Sequence, residues 1–484
     1  MDIFDKLMLA STDEVQLSVF IKENNQRLYD FLLTQSFTEL SKSKSKIENY
    51  ISTNLRTIRH LDFSAESTVI FTTLLLDVSE RFNFRLPFQR LYKLLSKNNC
   101  EISNRIEASA LFFIGIQRIS DYNDRTEKIL DKLLVAHINE EDTEDRIIGT
   151  IITFYAQVVH NFSSQNSLGV ENIKRKLLSL NETYPFLKND LVATVLDIDF
   201  TNNVFAFTKI QSLLDVFLKR TKTYSSFIRG FLIEENTKYS LLLEKAKPNF
   251  NSIRQISVNQ WRKINEDSVF YSLQRGVKIL TEEKQLYSYL YSYGKMHHSK
   301  MTSSFAYIPN QIFNNDLNII DWGCGQGLAS VSFIDHFNVN INKVKNVTLI
   351  EPSELALKRA SLHIKRFDKT IDVSTINKDL DSLSITDFEN DSNVKVHLFS
   401  NILDIDLFSL TQLIELIKTT FKGENYFVCA SPYVNPLKTS RLDSFVKSFS
   451  TNSNFNSIKE INNRSGEWDN NSWTRVIRIF KADI

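Results

Sequence analysis

Three glycines within five residues, Gly323, Gly325 and Gly327, set the tightest constraint on what this chain can fold into. Only 11 glycines occur in 484 residues. A chain that avoids glycine and then clusters it has a backbone that must turn where a side chain would not fit. The cluster lies in Asp321-Trp322-Gly323-Cys324-Gly325-Gln326-Gly327, after the apolar run LNIIDW (317–322) and before a helical pattern beginning near Leu328. A glycine-rich turn from strand to helix is where a parallel α/β sheet brings bare backbone against a ligand.

Apolar spacing divides the rest of the chain. Up to about residue 235 the pattern is helix after helix, as in Asn104 to Ile116 and Glu144 to Val158, where apolar residues recur three and four apart. Arg105 and Arg146 align these two segments at an offset of 41 residues. Comparable segments at Ala65 to Val78 and Asp190 to Phe200 suggest a HEAT-like, solenoid-like helical repeat. A helical connector is expected over 245–279, packed down by Trp261, and a helix through EKQLYSYLYSYG is expected to end at Gly294 as its C-cap.

After Asn315 short Ile/Val/Leu runs alternate with helical stretches. VTLIE (347–351), VSTIN (373–377), the run at 394–400 and YFVCAS (426–431) follow LNIIDW, and two closing runs read as an antiparallel pair. The expected fold class is therefore α plus α/β. An all-α, solenoid-like domain (1–244) and the connector (245–279) precede a doubly wound, mostly parallel, Rossmann-like sheet with a reversed C-terminal edge strand (280–484).

A dinucleotide fingerprint would place a third glycine at the sixth position from Gly323. That position is Leu328, so an NAD-dependent oxidoreductase is disfavoured. The pattern present, D-x-G-x-G-x-G, resembles motif I of the class I S-adenosylmethionine (SAM)-dependent methyltransferases, and Glu351-Pro352-Ser353 at the end of the second strand resembles their motif II. The resemblance covers roughly residues 280–484. It implies SAM as cofactor, with Gly323, Cys324, Gly325 and Gly327 lying against its methionine part and Asp321 holding its amino group. It further implies that Glu351, beside Pro352, meets the ribose, that Asp379 and Leu380 meet the adenine, and that Ser400 and Asn401 point at the sulfonium. Charge agrees: a cofactor bearing an ammonium and a sulfonium favours acids where a pyrophosphate would be repelled.

The acceptor is not named by the sequence. No Asn/Asp-Pro-Pro-Tyr box and no Pro-Cys pair follow the fourth strand. His297, His298, Asn401 and Tyr433 are the catalytic candidates; Tyr293, Lys295, His297 and His298 are expected near SAM or the acceptor, and no metal site has readable ligand spacing. His397 and Cys429 lie in apolar strands and are expected in the core.

A solenoid surface suits a macromolecule, so a protein or RNA acceptor, or a protein partner, is expected on the helical domain. Residues 301–484 carry 19 basic and 21 acidic side chains, and residues 1–300 carry 39 and 36. Neither part has the basic excess of a phosphate-gripping domain, which favours protein over nucleic acid. A non-catalytic SAM-binding or interaction scaffold, and less so a small-molecule methyltransferase, remain as alternatives. Three scattered cysteines, no membrane-length apolar run and an acidic N-terminus lead to the expectation of a cytoplasmic protein away from membranes.

Overall fold

A computed structural model of the chain describes residues 3–139, 144–218, 220, 229–273, 278–389, 391–406, 408–464, 466, 468 and 472–484. Two compact units emerge: Met1–Lys222 with Val434–Leu437, and Thr223–Tyr433 with Lys438–Ile484. Residues 229–273, 278 and 279 thus belong to the sheet unit. Trp261, on the helix Phe250–Ile264, is buried there.

The regular elements in the described part of the first unit are all helices. Its helices enclose one apolar core that runs from Phe4 to Leu218. An open solenoid would bring each helix pair against its neighbours alone. Here Arg81 pairs with Asp215 at 3.0 Å and the Phe37 and Phe207 rings meet at 6.4 Å, so early helices touch the last one. Arg105 and Arg146 converge on one carboxylate, that of Asp77, each at 2.5 Å, and Arg105 also meets Glu80 at 2.9 Å. Two arginines held in the interior need a shared acid, and one acid serves both.

The second unit is built on an eight-stranded sheet. In chain order the strands are β1 (Arg229–Gly230), β2 (Leu317–Trp322), β3 (Val344–Ile350), β4 (Asp372–Ile376), β5 (Val394–Ser400), β6 (Glu424–Ser431), β7 (Asn456–Asn463) and β8 (Arg475–Asp483). Across the sheet they run β1-β4-β3-β2-β5-β6-β8-β7. Strands β2 to β6 are parallel, and β8 is antiparallel to both β6 and β7. This is the mostly parallel sheet with a reversed last strand that the sequence predicts. β7 covers the outer side of β8, and the two-residue β1 adds an antiparallel partner at the far edge.

Alternation along the strands fills both faces. Ile319, Val347, Leu349, Val396, Leu398 and Val428 enter one core with the helices Phe250–Ile264, Leu328–His336 and Glu354–Phe367. Ile320, Trp322, Ile350, Phe399 and Phe427 enter the other, under the helix Leu410–Thr420. His397 and Cys429 lie in this interior. His397 accepts from the Trp322 indole at 3.2 Å and reaches Asn425 at 3.0 Å, a core histidine with both nitrogens satisfied.

One local expectation fails. The helix expected to end at Gly294 ends at Ser292, and Gly294 opens the next helix, Gly294–Phe305. Gly294 is selected by crowding rather than as a cap: a Cβ there would lie 3.2 Å from Leu290 and 3.6 Å from Arg254. Among the described residues no helix is long and apolar enough to cross a membrane.

Candidate cofactor site at the switch point of the sheet

From β2 the chain winds outward through β3 to β4, then returns to the other side of β2 for β5 and β6. The strand order therefore reverses between β2 and β5, and a doubly wound sheet opens a crevice at that point, outside the carboxyl ends of its strands. The glycine loop leaves β2 there, Glu351 follows β3, and Asn401 follows β5.

The loop is held from several sides. The Cys324 N–H donates to the Ile350 carbonyl at 2.9 Å, and the Gly327 N–H to the Cys324 carbonyl at 2.7 Å. Both carboxylate oxygens of Glu351 accept backbone bonds, from Gly325 at 3.0 Å and from Ser353 at 2.9 Å. Each carboxylate oxygen has a second lone pair, so this clamp leaves Glu351 able to accept from a ligand hydroxyl. Asn377 donates to the carbonyls of Glu351 and Pro352 at 2.9 and 3.0 Å, fixing the turn after β3.

Within the loop the glycines do different work. Gly327 (φ +74°) lets the loop approach the helix Glu354–Phe367, where a Cβ would stand 3.1 Å from that of Ala360. Gly325 (φ +52°) has no atom within 4 Å of where a Cβ would point. Its bare face borders open space at the crevice.

Asp321 is buried at the end of β2, where its carboxylate accepts from the Ser330 N–H at 3.1 Å and hydroxyl at 2.7 Å. Burial, with Glu351's charge nearby, still pushes its pKa up to about 6. A cation placed beside it would reverse that shift. Burial and the same two acids raise the Cys324 thiol far above its ordinary value, so Cys324 is a small packed residue and no nucleophile. Asp379 caps the one-turn helix Leu380–Ser382, accepting from the Ser382 N–H at 2.9 Å, and Leu380 packs on the core beneath.

Of the catalytic candidates, the fold joins His297 and Asn401. Asn401 follows Ser400 with φ +55°, its N–H donating to the Ala430 carbonyl of β6 at 2.7 Å. Its side-chain nitrogen meets Nε2 of His297 at 2.5 Å. An amide nitrogen can only donate, so Nε2 accepts and the ring is neutral. Burial and the Lys300 charge hold His297 down at about 3. The Asn401 carbonyl oxygen is buried without a hydrogen-bond partner.

His298 goes elsewhere, stacked on Phe250 at 3.8 Å and bonded to Ser332 at 2.9 Å. Tyr433 is drawn toward β8, its N–H donating to Thr474 at 3.0 Å with Arg464 over its ring. Lys295 is exposed beside Trp473.

Tyr289 is a candidate that sequence reasoning passed over. Its ring meets Tyr293 at 5.5 Å and His297 at 5.7 Å, and burial beside the Glu351 charge raises its hydroxyl pKa. It therefore feels the Glu351 charge and touches the ring of His297. Residues 289, 293 and 297 stand four apart, and that helical spacing was the available signal.

No family model and no curated protein match the sequence. Among solved structures, the plantazolicin methyltransferase BpumL, determined with S-adenosylhomocysteine (SAH), is similar at 12% identity and a TM-score of 0.30, over 47% of this chain and 99% of that one. A SAM-dependent methyltransferase of Leishmania major is similar at 12% identity and a TM-score of 0.28, over 54% of this chain and 98% of that one. One from Clostridium acetobutylicum is similar at 11% identity and a TM-score of 0.25, over 40% and 99%. The reading of the fold rests on the strand order and the switch point described above.

Proposed function

We propose that the sheet unit is a SAM-dependent methyltransferase whose cofactor lies across the carboxyl ends of β2, β3 and β5. The observation that carries this reading is the open face of Gly325 at the switch point, between the buried Asp321 and the clamped Glu351. A cradle that a single Cβ would fill, with two acids beside it, fits the sulfonium cofactor better than a phosphate group.

When bound, SAM supplies an activated methyl group on a sulfonium. The chain's own contribution is to hold and orient. Asp321 binds the ammonium, the glycine backbone lies against the methionine part, Glu351 accepts from the ribose, and Asp379 with Leu380 borders the adenine. Ser400 and Asn401 face the acceptor. The unpartnered Asn401 oxygen accepts an N–H or O–H of that acceptor and so aims its lone pair. His297, its own lone pair committed to the Asn401 amide, fixes which way that amide points. In-line placement and exclusion of water supply much of the rate in such a transfer.

The acceptor is read as macromolecular, protein before RNA on charge, and recognised with the helical unit. Isothermal titration with SAH tests the cofactor site directly. Labelled SAM incubated with cell lysate, followed by separation of protein, RNA and small molecules, identifies the acceptor class. Binding of SAH without transfer to any fraction would favour a SAM-binding scaffold, and absence of binding would overturn the reading altogether.

A further inference from the structure

The glycine loop has a second support, on the side away from its open face. His363, on the helix Glu354–Phe367, is fully buried. Its Nδ1 lies 2.9 Å from the carbonyl oxygen of Gln326, and its Nε2 lies 2.7 Å from the hydroxyl of Tyr239. A carbonyl oxygen can only accept. Nδ1 must therefore carry the proton of the neutral ring, and Nε2 accepts from the Tyr239 hydroxyl. Burial keeps the ring neutral, its pKa pushed down to about 4.

Tyr239 is itself fixed. The Arg359 guanidinium stands 3.7 Å from its ring centroid. Arg359 holds Glu234 through two bonds of 2.7 and 2.8 Å and reaches Glu283 at 3.0 Å. A continuous chain of buried polar contacts thus runs from Glu234, through Arg359, Tyr239 and His363, to the loop.

Gln326 is the residue between Gly325 and Gly327, and both of these have positive φ. A peptide flanked by glycines rotates at low steric cost. Three bonds prevent this: the Gln326 side chain donates to the Leu286 carbonyl at 3.0 Å, the Gly327 N–H of the Gln326–Gly327 peptide donates to the Cys324 carbonyl at 2.7 Å, and the carbonyl of that peptide is held by His363.

We infer that His363 is the positioning residue of the cofactor loop. Its Nδ1–H holds the peptide between Gly325 and Gly327 in the orientation that receives SAM, and Tyr239 selects the tautomer able to do so. The inference rests on reading this loop as the SAM site, and it adds a residue and a tautomer that the loop's own sequence does not contain. The contribution is preorganisation: a loop free to turn its peptide binds the same cofactor less tightly.

The experiment titrates SAH into the full chain and three variants, with a urea midpoint for each. His363→Phe keeps the bulk and removes the donor, leaving the Gln326 carbonyl buried and unsatisfied. About tenfold weaker SAH binding is expected, the loss of one buried hydrogen bond. His363→Asn sets an amide N–H where Nδ1–H stands and should bind within about threefold of wild type. His363→Gln reaches toward Tyr239 instead and should bind as weakly as the Phe variant. A merely structural histidine would not separate Asn from Gln. SAH affinity unchanged in His363→Phe and His363→Gln, or affinity that follows the urea midpoint in all three, overturns the inference. If His363→Phe does not fold, the Asn and Gln pair decides. Wild-type chain that binds no SAH removes the cofactor reading itself, an outcome distinct from equal binding by wild type and variants.

Discussion

Alanine in place of each loop glycine separates what the loop does for folding from what it does for a ligand. At Gly325 the new Cβ meets nothing within 4 Å in the free protein, so the cost to folding is conformational alone. A left-handed backbone costs an L-residue about 1–2 kcal/mol, and the stiffer unfolded chain returns about 0.4–1 kcal/mol, leaving a net loss near 1 kcal/mol. On the proposed reading the same methyl group would stand where the cofactor lies. Overpacking of that kind costs about 1–3 kcal/mol, so SAH binding should weaken roughly tenfold to a hundredfold.

Gly323 makes the contrast. Its Cβ would overlap Cδ1 of Ile402 and stand 2.9 Å from Cγ1, so Gly323→Ala adds an internal clash to the backbone cost and should lose about 2–4 kcal/mol of stability. Urea denaturation followed by circular dichroism gives the stabilities, and isothermal titration gives the affinities. The argument is refuted if Gly325→Ala binds SAH like wild type, or if it is destabilised as much as Gly323→Ala.

Acid should destabilise the sheet unit by a calculable amount. His297, His363 and His397 have pKa values pushed down to about 3, 4 and 3, so unfolding takes up their protons as pH falls below 6.5, at about 2 kcal/mol each by pH 5. Asp321, raised to about 6, works the other way, returning about 1 kcal/mol as pH falls from 7 to 5. A net loss of about 5 kcal/mol from these four groups follows, and equal urea midpoints at pH 7 and pH 5 would contradict it. On the proposed cofactor reading Asp321 must ionise to hold an ammonium. SAH binding should then weaken below pH 6, approaching about tenfold per pH unit, whereas Asp321→Asn should bind weakly with no such dependence. Asn401→Ala should reduce methyl transfer to the labelled lysate acceptor at least tenfold while changing SAH affinity less than about threefold. Parallel losses in both would place Asn401 in cofactor binding instead.

The sequence by itself determined the α/β half of the chain closely. LNIIDW is β2 residue for residue, the helix after the glycine loop opens at the predicted Leu328, and the last strand runs reversed. Period-two and period-3.6 apolar patterns are local, and the glycines of a ligand-facing turn are local too, so both are legible in one dimension. The helical half shows the limit of the same reasoning. Arg105 and Arg146 share a spacing that resembles a repeat, and both reach Asp77, a common partner that only the packed helices reveal.

The site divides in the same way. Asp321, the loop glycines and Glu351 stand at strand ends that the pattern locates. The link of His297 to Asn401 spans 104 residues, and that of His363 to Tyr239 spans 124. Sequence also left His297 and His298 equivalent, whereas one turns to Asn401 and the other to Phe250 and Ser332. A histidine's tautomer and protonation are set by the groups that burial brings against its two nitrogens, and those groups come from distant parts of the chain. The resemblance carried by the glycine motif and Glu351 implied the cofactor class. Which histidine holds the loop, which orients the amide and which only fills the core was decided by the tertiary structure, because each answer is a contact between segments that no local pattern joins.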